Sequence, residues 1–308
     1  MPFRQVTAAG HPALALSNDE VECILVPALG GKVTNLRRRR GREWLWRRPA
    51  GTDPQGSGAA YPDLGGWDEC FPNIAPGPMP GAAPGEPELP DHGELWRLEW
   101  HHDVLAGPTG TLVTGRVVGE ALPYEFQRDI VVPDDGAEIR FEYRLLHRGT
   151  VAFPFVWAAH PMFLAQPGTL LTLPTVRQVR VDHAAGRADL VPDAEVPWPL
   201  DDGSHSWAVP AEGGWSAKLY ADIGPSGVAV LTDPTRGEQL ELVVDPASVP
   251  QVGIWIDLSG GAPRLAVEPC LGAPDRLDRA VAGWGTAASL APGETRKWTV
   301  TVRLPEPD

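Results

Sequence analysis

The chain has 308 residues, 43% of them hydrophobic, and a net charge of −14. That length is generous for one ordinary domain and small for two large ones, and that hydrophobic share excludes a disordered chain. The acidic balance argues against a surface built for nucleic acid or anionic membranes, so neither is expected as a partner.

The first twenty residues, MPFRQVTAAGHPALALSNDE, contain no uninterrupted apolar core, and no signal peptide is expected. No apolar run approaches the roughly 18 residues needed to cross a membrane. Gly and Pro number 34 each and leave little room for long helices. Between them lie short runs rich in β-branched and aromatic residues: VECILVPAL, GTLVTGRVV, YEFQRDIVV, AEIRFEYRLL, TLLTLPTVRQVRVD, GVAVLTD, QLELVV, QVGIWIDL, RLAVEP and KWTVTVRL. EIRFEYRL and KWTVTVRL alternate apolar and polar residues, as antiparallel strands with one buried face do. The reading is all-β, a large antiparallel β-sandwich formed by residues 1–308 as one domain.

Two stretches break the pattern. Residues 75–91, APGPMPGAAPGEPELPD, hold six prolines and cannot form a regular ladder. They join Asn73 to His92 and read as a surface loop or as a lip over a cleft. Residues 184–214, rich in Pro, Asp and Gly, read as an insertion between strands. The three cysteines, Cys23, Cys70 and Cys270, form no CxxC pair. Free thiols in a reducing, cytoplasmic setting follow.

Three motifs carry candidate chemistry. His160 sits in VWAAHPMF, where a proline and aromatics would hold an imidazole rigid; a core or turn histidine is the plain alternative. Glu268 ends the run LAV in RLAVEPCLGAPD, and a carboxylate beside apolar residues has its pKa raised by desolvation. The alternative is a strand-end glutamate in water. His92 lies in DHGELWR, read as opening a strand or as a turn histidine. Histidine and glutamate together suit a reaction that needs acid and base at once.

The segment GGWDECFPNIAPG adds Asp68 and Asn73, and Arg97 follows the His-Gly pair by a few residues. Among 12 tryptophans, Trp67, Trp157 and Trp255 are candidate platforms for the CH-rich face of a ligand, against the reading of tryptophan as sandwich core. Lys32 and Lys218, and the arginines from Arg37 to Arg42, read as surface residues. There is no Walker, dinucleotide, HExxH or GxSxG pattern.

The order and local sequence of HGELWR, AAHPMF and LAVEPCLGAPD resemble the aldose 1-epimerase (galactose mutarotase) superfamily. The resemblance implies a galactose mutarotase-like supersandwich with a sugar cleft, and a small-molecule sugar as partner. It implies that Glu268 takes the anomeric proton, that His160 protonates the ring oxygen, and that His92 holds the sugar near that oxygen. Asn73, Asp68, Arg97 and Trp255 would bind substrate. No cofactor and no metal are expected, because both half-reactions are proton transfers. Many family members follow the asparagine with an arginine; this chain has Ile74, which points to a shifted substrate range. A family substrate aspartate would fall near Asp201 and Asp202. The alternatives are a non-catalytic sugar-binding or sensing protein, and a hexose-6-phosphate mutarotase. The expected assembly is a monomer or a homodimer.

Overall fold

The alternating segments become two large antiparallel sheets in a computed structural model. It describes residues 3–48, 65–83, 85–107, 109–200, 205–260 and 262–307. Asp201, Asp202 and Pro84 lie outside the described residues.

The first sheet has eleven strands in the spatial order Phe3–Ala8, His11–Ser17, Val21–Val26, Lys32–Arg38, Trp67–Cys70, Trp157–Leu164, Arg264–Leu271, Gln251–Asp257, Ser216–Asp222, Gln178–Ala185 and Glu195–Pro197. The second has nine: Trp207–Ala208, Leu170–Thr172, Val228–Asp233, Glu238–Val244, Thr295–Arg303, Glu138–His147, Tyr124–Pro133, Gly110–Val118 and His101–Gly107. Every pairing within them is antiparallel. Phe153–Phe155 and Ala288–Leu290 form a small separate ribbon. Among the described residues, helix is confined to a turn at Leu95–Arg97 and a short stretch over Leu277–Arg279 and Ala280–Trp284. No helix among the described residues is long and apolar enough to cross a membrane.

In YEFQRDIVVP every second side chain is buried, as a strand with one face on a core requires. That core lies between the sheets and is aromatic. Trp67 stacks on Phe141 at 4.3 Å, and Trp157 meets Trp298 edge-on at 4.8 Å. Trp67 and Trp157 are therefore core residues and not sugar platforms; both are fully buried. One charged pair is sealed among them. Glu69 accepts hydrogen bonds from Arg128 Nη1 at 2.9 Å, Tyr143 Oη at 3.0 Å and Trp157 Nε1 at 3.0 Å.

Arg39 and Arg40 form the exposed turn expected of the arginine run, but its flanks do not face water alone. Arg42 is buried and pairs with Asp233 at 2.6 Å, while Arg37 reaches Glu22 at 2.7 Å. These pairs tie the first sheet to its neighbour and to its own hairpin.

Candidate active site on the first sheet

Residues that face each other across antiparallel strands point to the same side. His160 is paired with Asp68, Ala158 with both Cys70 and Cys270, and Glu268 with Gly253, which pairs with Tyr220. Trp255 pairs with Lys218. Period two then puts Asp68, His160, Glu268, Lys218, Tyr220 and Trp255 on one face. Trp67, Glu69, Trp157 and Val267 alternate to the face that meets the second sheet. The strands that carry the site are central, so both of their faces are covered, and they read as nearly continuous apolar runs.

His160 Nε2 lies 3.4 Å from Glu268 Oε1. The His92 ring is 4.8 Å from the His160 ring. His92 is not on a strand. It occupies a turn with φ of +56°, followed by Gly93 at +66°, and the chain then enters the Leu95–Arg97 helical turn. A Cβ on Gly93 would sit 2.0 Å from Phe71 O, so the His-Gly pair is a matter of space: only glycine lets the turn close onto Phe71. The strand reading failed because His-Gly looks like a strand opening until the next segment packs against it.

Asn73 is fully buried, and both N–H groups of its amide are spent on the loop, on Ala75 O and Pro90 O at 2.8 Å each. It closes residues 75–91 into a unit whose end presents His92. Ile74 packs in an apolar cluster with Leu89 and Leu277. Arg97 lies beyond the turn, and its charge bears on Tyr124 of the second sheet. Trp255 is half-buried, with the Arg264 guanidinium 5.4 Å from its ring centre.

Lys32 and Lys218 are not surface residues; each is 3% exposed. Lys32 pairs with Asp68 and gives a second hydrogen bond to Gly65 O at 2.8 Å. Lys218 Nζ lies 2.5 Å from Glu268 Oε2 and 3.3 Å from Asp275 Oδ1. Tyr220 Oη donates to Asp275. The segment WSAKLYAD offers one clue in hindsight: a lysine and a tyrosine two apart share a face, and that face also carries Glu268.

The electrostatics follow from burial. Desolvation first, then the nearby His92 ring and the Lys218 ammonium, hold the His160 imidazole well below its ordinary value. Burial raises the Glu268 carboxyl, against the pull of Lys218. Polar atoms on or beside this face that are buried without a hydrogen-bond partner among the described residues include Glu268 Oε1, Asp68 Oδ1, His92 Nδ1 and Asn73 Oδ1. Such atoms are costly unless a ligand satisfies them. No group of three or more His, Cys, Asp or Glu among the described residues is placed to hold a metal ion.

No protein-family model matches the chain, and no curated protein matches it. Solved structures do. The Slr1438 protein of Synechocystis sp. PCC 6803 superposes with a TM-score of 0.72 at 19% identity, over 95% of each chain. A galactose mutarotase related enzyme from Lactobacillus acidophilus gives 0.69 at 13% identity, over 96% of this chain and 98% of its own. A galactose mutarotase-like protein from Lactobacillus casei ATCC 334 gives 0.67 at 18% identity, over 95% of this chain and 100% of its own. The described sheets, and the likeness of nearly the whole chain to these structures, give it the galactose mutarotase-like β-sandwich fold.

Proposed function

We propose that the protein is an aldose 1-epimerase, interconverting the α and β anomers of a sugar. The observation that carries this reading is the pair itself: a buried carboxylate oxygen with no partner, Glu268 Oε1, facing His160 Nε2 at 3.4 Å. An anomeric hydroxyl and the adjacent ring oxygen are next to each other, and a pair this close serves both. Glu268 takes the proton from O1 while His160 gives one to O5, and the C1–O5 bond breaks. The C1–C2 bond rotates, and closure on the other face returns both protons. Positioned acid and base together contribute roughly 10²–10⁴-fold each in such steps. His92, Asp68 and Asn73 supply further unpartnered polar atoms for sugar hydroxyls. Glu268 is fully covered, so a sugar can enter only if the groups over it move, a motion of the kind that gates many enzymes.

The test is anomer-exchange NMR on glucose, galactose and their 6-phosphates. Glu268→Gln and His160→Asn should each slow exchange by about 100-fold or more, with sugar still binding by calorimetry. Exchange near the unmutated rate in both variants overturns the assignment.

A second reading is a sugar-binding protein of the same fold without turnover. The Lys218–Glu268 ion pair favours it, because an adjacent ammonium weakens the carboxylate as a base. Binding without accelerated exchange in the unmutated protein would select it.

A further inference from the structure

The geometry points to Lys218 as a positioning residue: its ammonium holds Glu268 by one carboxylate oxygen, so that the other is left facing His160. This rests on the acid–base reading above.

A lysine at 3% exposure in the middle of a strand must be held by partners, since an unpaired buried charge is strongly disfavoured. Lys218 has two: Glu268 Oε2 at 2.5 Å and Asp275 Oδ1 at 3.3 Å. Asp275 is itself fixed. Tyr220 Oη donates to its side chain, and its backbone N–H donates to Asp182 Oδ2 at 3.4 Å. Asp182 in turn pairs with Arg279. The ammonium is thus anchored on the side away from His160, and it pulls Oε2 toward that anchor. Oε1 then has only the His160 side left, where it lies 3.4 Å from Nε2.

Sequence makes room for this. Gly253 stands beside Glu268 in the ladder, and a Cβ there would come 3.3 Å from Glu268 Oε2 and 3.0 Å from Tyr220 Cε1. Any side chain at that position would crowd the carboxylate end that Lys218 grips. A lysine paired to Asp275 alone would satisfy its charge equally well. The shorter contact is the one to Glu268.

The titratable groups facing Glu268 come from several elements. His160 lies on one neighbouring strand, while Lys218 and Tyr220 reach across from the strand beyond Gln251–Asp257, passing over Gly253. Asp275 follows in the next loop, His92 approaches from its turn, and the thiols of Cys270 and Cys70 are close by. Lys218 favours the ionised carboxylate and Asp275 opposes it. Removing the ammonium must therefore raise the pH at which Glu268 becomes a base, and removing Asp275's charge must lower it.

The experiment uses Lys218→Met, Lys218→Arg and Asp275→Asn. The exchange rate is followed against pH, and the Glu268 carboxyl is titrated by carbon-13 NMR, with its signal identified by Glu268→Gln. In Lys218→Met the acid limb of kcat and the carboxyl titration should both rise by about one pH unit or more, with sugar affinity little changed. Lys218→Arg should restore part of the rate. Asp275→Asn should move both readouts down, which keeps the test alive should the methionine variant not fold. A carboxyl titration unmoved in the folded variants overturns the proposal, as does a loss confined to affinity. An unmutated protein that never accelerates exchange sinks the epimerase reading, and the NMR titration still decides what Lys218 does to Glu268.

Discussion

The Glu69–Arg128 pair permits a quantitative test of how the site strand is held. Glu69 alternates with Asp68 on one strand, so the residue behind the site is a sealed carboxylate. It is 0% exposed and Arg128 is 1% exposed. Arg128 also donates to Gly31 O and lies 5.1 Å from the Trp100 ring centre. Glu69→Leu leaves a guanidinium buried without its counter-charge, at a cost of about 3–5 kcal/mol. It also strands Tyr143 Oη and Trp157 Nε1, at roughly 1–3 kcal/mol each where the site cannot relax. The single change should therefore cost about 4 kcal/mol or more, a large part of a typical domain's 5–15 kcal/mol. Arg128→Met should cost less, because burial has already pushed the Glu69 carboxyl up to about 7 and it takes up a proton once the guanidinium is gone. The double variant Glu69→Leu/Arg128→Met should cost far less than both together, since no charge remains buried; a coupling of about 2 kcal/mol or more is expected. Urea unfolding at neutral pH, compared at equal slopes, measures all three. Additive costs, or a Glu69→Leu loss below about 1 kcal/mol, would refute the view that an unpaired buried charge dominates here.

Three further outcomes follow from the same geometry. The working form of the site needs Glu268 ionised and His160 protonated. Burial raises the first and, with His92 and Lys218, lowers the second. Exchange should then fall as pH drops through the raised carboxyl value and fall again as pH rises past the lowered imidazole value. The optimum should lie on the acid side of neutrality, and a polarimetric profile peaking above about pH 7.5 would contradict it. Gly93→Ala should destabilise by roughly 2 kcal/mol or more, from the left-handed φ and the clash with Phe71 O, read by thermal unfolding; a melting temperature unchanged within error would count against the tight turn. Asn73→Asp keeps the side chain's shape but removes both donors to Ala75 O and Pro90 O. It should loosen residues 75–91, with faster amide exchange there and weaker sugar binding, and unchanged protection would exclude Asn73 as the loop's clasp.

The strands were legible because period-two alternation is a local signal: a side chain's face is set by its parity along the chain. FQRDIVV and KWTVTVR show their buried sides without any knowledge of their neighbours. His160 and Glu268 stood out for a different reason, as polar residues inside apolar runs. The lysines at 32 and 218 did not stand out, although the structure makes them as buried as the carboxylates they hold. A lysine's local pattern is the same whether its strand faces water or a charged cluster. The difference lies in Asp68, Glu268 and Asp275, which are far away in sequence and arrive through strand order. Asn73 is the reverse case: it has the composition of a ligand residue, but its two N–H donors are taken by a loop that only closes in three dimensions.

What the sequence alone determined is therefore the all-β class, the individual strands and the short motifs that hold the polar candidates. Tertiary structure decided which of those residues meet. Placing the Trp157–Leu164 strand between Trp67–Cys70 and Arg264–Leu271 brings His160 beside Asp68 and Glu268. The addition of Gln251–Asp257 and Ser216–Asp222 delivers Lys218 to the same carboxylate. Strand order is set by the packing of the whole sandwich and has no local code. Ion pairs between residues about fifty or a hundred positions apart can be read only after the chain has folded.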